Sequence, residues 1–314
     1  MNLTIPTLEK NKHVGILFTA RSGSHVLRHF ISTITDKKNL GEPFNPVGLI
    51  SRGELKIVNT FLKGETKIES STADLQGNMT SENIKNIMLP ESISNLKIFK
   101  KEAELNNYTV CSIHYEGYYD FTPEFFSHLA EEDTMQFIRL ERADLLTALL
   151  SSRIANDTNK WHNPSIDGTP LTEQQRNRPQ RPAPELPLKK VKVSINYLKK
   201  RLYMYIQRCN YVDQYFPDVP TIYYEQFQNN VANLRNMFNG IPKKIISIPY
   251  LKLGINYKEW IENIDEIEDY YEQFVNENKE YFPQYFGRLP HIKIPASQGR
   301  QPRDLSQLKM AVGI

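Results

Sequence analysis

Cysteine is scarce in this sequence. Cys111 and Cys209 are the only two. They stand far apart, with no neighbouring cysteine and no histidine at metal-ligand spacing. That argues against a disulfide framework and against a zinc site, and makes a reducing compartment the default. No apolar run approaches the ~20 residues needed to cross a bilayer. The opening residues, MNLTIPTLEKNKH, lack the apolar core of a signal peptide. A cytoplasmic protein without a transmembrane segment is the expectation. An excess of charge of one sign is also nearly absent. Lys and Arg number 39 against 36 Asp and Glu, a net charge of +3. Such a mild bias suits anionic small molecules but not nucleic acid, which calls for a concentrated basic face. No internal repeat is evident.

What is present is globular. The chain of 314 residues is 39% hydrophobic and 11% aromatic, enough for a sizeable core. Residues 13 to 30 read HVGILFTARSGSHVLRHF. A short apolar run, Val14 to Phe18, stops at TARSGSH. Val26, Leu27, Phe30, Ile31 and Ile34 then recur at helical spacing, so the pattern is strand, tight polar turn, helix. The Gly- and Pro-containing loop NLGEPFNP follows, and residues 47 to 106 read as an inserted, mostly helical region. YTVCSIHYEG (108 to 117) and TMQFIRL (134 to 140) are strand signals. They enclose the helix TPEFFSHLAEE, with Thr122 as N-cap and Pro123 at its first position. DLLTALLSSRIA (144 to 155) reads as a helix capped by Asp144.

The Pro-, Gln- and Arg-rich stretch from Asn163 to Leu188 reads as a long loop, of the kind that is functional or mobile. A long amphipathic helix, VSINYLKKRLYMYIQRCNYVDQYF, comes next, and DVPTIYYEQF is a strand running into a loop. NVANLRNMF and INYKEWIENIDEIEDYYEQFVNEN are helical, and the residues from about 295 form a polar, mobile tail. Strands alternating with helices predict an α/β fold of three layers, a central parallel sheet flanked by helices. Sites in such sheets lie beyond the carboxyl ends of the strands. One domain, 1–314, with insertions at about 47–106 and 164–192 and a tail at 295–314, is the expected organisation.

The turn at Arg21–His25 has the make-up of an anion cradle. A helix N-terminus presents unpaired backbone N–H groups and a partial positive charge, and a turn feeding it can wrap a phosphate or sulfate. Gly23 allows close backbone approach, Ser22 and Ser24 supply hydroxyls, and Arg21 supplies a cationic fork. The plainer alternative is a Ser N-cap on an ordinary helix. The pattern G-x-x-x-x-G-K-[ST] and its Lys are missing, which argues against an ATPase or GTPase. A second polar cluster follows TMQFIRL. Glu141 and Arg142 precede the next helix, and Ser151 lies on it seven residues after Asp144, on nearly the same face. Arg142 and Ser151 in that arrangement suit a second phosphate. Alone they also fit a surface arginine and a packing serine.

Taken together, TARSGSHVLRHF resembles the 5′-phosphosulfate loop of sulfotransferases that use 3′-phosphoadenylyl sulfate (PAPS), and RADLLTALLSSRIA resembles the 3′-phosphate motif of that family. LGEPFNP and KWHN resemble its bacterial carbohydrate and glycolipid branch, as does the arginine at position 21. The similarity covers roughly residues 13 to 46 and 108 to 163, with weaker support from IYYEQF and INYKEWIENIDEIE. His25 stands where a hydroxyl residue is common, and Ser152 competes with Ser151.

The resemblance implies a P-loop-like nucleotide-binding fold and transfer of a sulfuryl group from PAPS to a hydroxyl of a carbohydrate or glycolipid, with no metal. It assigns Arg21 and the residues Ser22, Gly23, Ser24 and His25 to the 5′-phosphosulfate, and Arg142 and Ser151 to the 3′-phosphate. Arg300, with Gln298 and Arg303, would close over the nucleotide from the tail. Candidates for the general base are Glu42 first, then His114, then His25. Trp161 and His162 are candidates for lining the acceptor site, although core packing is the commoner use of Trp. Two further readings stay open: a P-loop-type nucleotide kinase, and a non-catalytic module that binds a nucleotide or glycan. A third makes the inserted loops an interaction surface.

Overall fold

The computed structural model describes residues 7–19, 22–44, 81–115, 122–158, 190–227, 232–238, 257–282 and 302–309. Five strands form one sheet: β1 (His13–Phe18), β2 (Lys38–Asn39), β3 (Thr109–His114), β4 (Met135–Glu141) and β5 (Thr221–Tyr223). Their order is β2-β3-β1-β4-β5, and every pairing is parallel. Parallel neighbours need crossover connections, here supplied by helices. α1 (Ser24–Thr35) leads from β1 to β2, α2 (Ser81–Glu104) precedes β3, and α3 (Thr122–Ala130) joins β3 to β4. α4 (Leu145–Thr158) and α5 (Ile195–Tyr215) lie between β4 and β5; α6 (Ala232–Met237), α7 (Tyr257–Trp260) and α8 (Ile264–Asn278) follow.

Strand alternation sorts the core into two layers. On one face Val14, Ile16 and Phe18 of β1 and Ile138 and Leu140 of β4 meet Leu27, Phe30 and Ile31 of α1 and Leu234 of α6. Those α1 positions follow the helical spacing read from the sequence, and burying each such side chain contributes about 1.5–3 kcal/mol. On the other face Leu17, Cys111 and Ile113 meet the apolar faces of α3, α4, α5 and α8. The result is the expected three-layer α/β arrangement. No helix among the described residues is long and apolar enough to cross a membrane.

At the amino ends of the strands the polar groups are structural. His13 Nδ1 accepts from the Thr109 N–H at 3.1 Å, so Nε2 carries the proton and donates to the Phe99 carbonyl at 2.9 Å. Burial lowers the pKa of this ring. Lys37 donates to the carbonyls of Glu9, Lys10 and Lys12 at 3.1, 2.9 and 2.6 Å. This leaves the carboxyl edge of the sheet as the place for a site.

The structure adds three details to the sequence reading. The run INYKEWIENIDEIEDYYEQFVNEN, read as helical, carries two helices, α7 and α8. Between them Asn263 clamps Val193, accepting from its N–H at 3.0 Å and donating to its carbonyl at 2.9 Å, and Ile261 bridges Val191. β2 has only two residues, too short to leave a sequence signal. Part of the tail read as mobile is docked. Asn278 exchanges two hydrogen bonds with the Lys309 backbone, at 2.7 and 2.8 Å, and Leu305 and Leu308 pack on the core.

Candidate functional site

Register brings the predicted motifs to one edge. Phe18 is level with His114 on one side and Leu140 on the other, and Glu141 is level with Tyr223. The turns after β1, β4 and β5 therefore leave the sheet side by side.

The turn after β1 is built around Gly23. Its φ of 82° and ψ of 25° are left-handed, and it is the N-cap of α1. Only glycine holds that conformation without strain. Val26 and Leu27 donate to the Gly23 carbonyl at 3.0 and 3.2 Å, so the N–H groups of Ser24 and His25 precede the first intrahelical bond. The plainer reading of a serine N-cap is thus overturned, because the cap residue has no side chain. Ser22 turns inward and donates its hydroxyl to the Thr19 carbonyl at 2.7 Å. Its hydroxyl proton is committed to shaping the turn, while Ser24 is the first residue of α1 and is buried.

Tyr224 joins the two predicted clusters. A Cβ on Gly23 would lie 2.5 Å from its ring, and the Arg142 guanidinium stacks on the same ring at 4.5 Å. Glu225, the next residue, accepts from Arg142 Nε at 2.7 Å and from the Ala143 and Asp144 N–H groups at 2.8 and 3.4 Å. Its carboxylate sits at the start of α4, where an anion is favoured. A phosphate at Arg142 would have to share the guanidinium with Glu225. Asp144 caps α4 as expected, accepting from the Thr147 N–H at 3.0 Å. Ser151 donates to the Ala148 carbonyl at 3.0 Å, and Ser152 is buried.

The loop carrying Glu42 is anchored, not a free surface loop. Gly41, with φ of 74°, donates to Asn39 Oδ1 at 3.0 Å. Its carbonyl accepts from the Ser112 N–H at 2.8 Å, which extends the β2–β3 pairing towards the carboxyl edge. Phe44 is buried against Phe99 and Phe125. Glu42 Oε1 lies 3.7 Å from His25 Nε2, and the two side chains are 21% and 46% exposed. Two of the three candidate bases thus face each other. The third, His114, packs its ring against Phe18 at 5.0 Å. Burial, then the charge of Arg201, pushes its pKa down to about 4, a poor value for a base working near neutrality.

A buried charge network lies on the α5 side of the same edge. Arg139 pairs with Asp213 and stands 3.7 Å from Glu141, and Glu141 accepts from the Tyr115 hydroxyl at 2.9 Å. Burial and the Glu141 charge raise the Tyr115 pKa far above its usual value. All four side chains are buried.

Of this network sequence reasoning named only Glu141, and it assigned no role to Tyr224, Glu225 or Arg28. Arg28 leaves one legible signal, a charge three residues after His25 on the apolar stripe of α1. Arg21, Arg300, Gln298, Trp161 and His162 lie outside the described residues. Arg303 is described, its N–H donating to Asn210 Oδ1 of α5 at 2.6 Å. Among the described residues no group of three or more His, Cys, Asp or Glu side chains is placed to hold a metal ion. No family model matches this chain, and no curated protein or solved structure matches it.

Proposed function

We propose that this chain is a sulfotransferase with a P-loop-like fold, moving the sulfuryl group of PAPS to a hydroxyl of a carbohydrate or glycolipid. The observation that carries the reading is the meeting of two anion-suited turns, separated by more than a hundred residues, on the single ring of Tyr224. A donor with two anionic groups fits such a pair of turns, one at the start of α1 and one at the start of α4. The first would take the 5′-phosphosulfate on the Ser24 and His25 N–H groups and the Ser24 hydroxyl. The second would take the 3′-phosphate at Arg142, with Ser151 behind it.

In this reading the acceptor hydroxyl gives its proton to the Glu42 carboxylate as its oxygen bonds to sulfur. The bond from sulfur to the bridging oxygen breaks, and the electron pair leaves on that oxygen as 3′,5′-adenosine bisphosphate departs. Positioning and electrostatic stabilisation supply most of the acceleration, as in phosphoryl transfer. One observation favours a second reading, a non-catalytic module that holds a single anionic group: Glu225 already occupies the Nε edge of Arg142.

Calorimetric titration with 3′,5′-adenosine bisphosphate, with 5′-AMP and ATP as controls, separates the two. Binding that depends on the 3′-phosphate supports the two-anion donor site. Equal affinity for 5′-AMP supports the single-anion module, and no binding by the folded protein removes both. Transfer of labelled sulfate from PAPS to a panel of glycans then tests catalysis.

A further inference from the structure

Glu42 and His25 face each other at 3.7 Å, and either could take a proton. What decides between them lies behind the histidine. Arg28, buried on α1, places NH2 at 3.0 Å from His25 Nδ1 and donates from NH1 to the Ser112 hydroxyl at 2.8 Å. A guanidinium has only donors. Nδ1 must therefore be the accepting nitrogen, and a neutral imidazole with an accepting Nδ1 carries its proton on Nε2. Nε2 is the atom that faces Glu42.

We propose that Arg28 locks His25 in the Nε2–H tautomer, making His25 a positioning residue that holds Glu42 as the proton acceptor of this edge. The contacts form a chain that leads back to the Glu42 loop. Ser112 fixes the Glu42 loop through its N–H on the Gly41 carbonyl, and fixes Arg28 through its hydroxyl. Arg28 orients His25, whose Nε2 faces Glu42 Oε1 at 3.7 Å. The backbone of the loop and the ring that faces its carboxylate are thus held by one set of groups. A ring whose Nε2 already bears a proton is not the base towards Glu42, so two of the candidates acquire different roles. That the proton comes from an acceptor hydroxyl rests on the proposed function; the tautomer does not.

The test is a long-range nitrogen–proton spectrum of the full chain, with its histidines labelled and no ligand added. The His25 signal is assigned by its loss in His25→Gln. The expected result is one tautomer, with Nδ1 unprotonated and Nε2 protonated. In Arg28→Met the Nδ1 lone pair loses its donor, and the expected result is a tautomer mixture. Arg28→Lys, which restores a donor, brings back part of the single-tautomer signal. A protonated Nδ1 or a tautomer mixture in the wild-type chain overturns the proposal, and that spectrum decides even if Arg28→Met does not fold. A single Nε2–H tautomer that persists unchanged in folded Arg28→Met also overturns it. A locked tautomer in a protein that fails to bind 3′,5′-adenosine bisphosphate removes the sulfotransferase reading and leaves this one standing. A mixed tautomer in an active sulfotransferase does the reverse.

Discussion

Gly23→Ala tests whether Tyr224 couples the two turns. Two costs add. The backbone at φ 82° costs an alanine about 1–2 kcal/mol. The new methyl would sit 2.5 Å from the Tyr224 ring, where ordinary contact is 3.4–4 Å, so the ring must swing by about 1 Å or more. That swing disturbs its edge contact with Phe227, at 5.4 Å between centroids, and the Arg142 stack at 4.5 Å. Partial loss of both costs about 1–2 kcal/mol. Gly23→Ala should therefore destabilise the fold by about 2–4 kcal/mol. In a Tyr224→Ala background the steric part has already gone, and the same substitution should cost only about 1–2 kcal/mol. Urea denaturation of the four proteins, compared at a common m-value, reads the difference. A coupling energy below about 0.5 kcal/mol would show the sites to be independent and refute the idea that Tyr224 rests on Gly23. No cost in either background would refute the left-handed turn itself.

Other outcomes follow from single contacts. Asp213→Ala removes the nearer of the two carboxylates beside Arg139 among the described residues and should cost about 3–5 kcal/mol, read by the same denaturation. His114, with its pKa pushed from 6.5 down to about 4, favours the native state only while neutral. Its contribution is complete above pH 6.5 and is lost as pH falls from 6.5 to about 4, an expected loss of about 3 kcal/mol. A His114→Gln variant whose stability falls just as steeply in that window would contradict this. Ser24→Ala should weaken 3′,5′-adenosine bisphosphate binding by about 1–3 kcal/mol, and unchanged affinity would remove the hydroxyl from the cradle. Glu42→Gln should leave that affinity nearly intact while lowering turnover about 10²–10⁴-fold; normal turnover would move the base elsewhere.

The legible parts of this fold are those where local periodicity and local chemistry agree. The change from an apolar run to helical spacing at Arg21–His25 locates β1, α1 and the turn between them, because both patterns are written within twenty neighbouring residues. Asp144 announces the start of α4 for the same reason. What the sequence concealed is non-local. Tyr224 lies about two hundred positions from Gly23, and nothing near either residue reports their contact. Glu225 reads as an ordinary strand-end glutamate until β4 and β5 are paired. Arg139 hides inside an apparently apolar strand, since its partner Asp213 belongs to a helix far along the chain. The split between α7 and α8 depends on the Val193 backbone, which Asn263 meets only in three dimensions.

The strand order carries a consequence for synthesis. β1 is made first among the strands yet lies in the middle of the sheet, and its partner residues on β3 stand 96 positions later. At about 5–20 residues per second, a ribosome needs roughly 5 to 20 seconds to deliver them. Throughout that interval Val14, Ile16, Leu17 and Phe18 have emerged without either flanking strand. An early-made apolar strand held open in this way is a target for chaperones, and for pairing with another nascent copy. Expression yield should therefore respond to translation speed between residues 40 and 140 more than to the same change after β4.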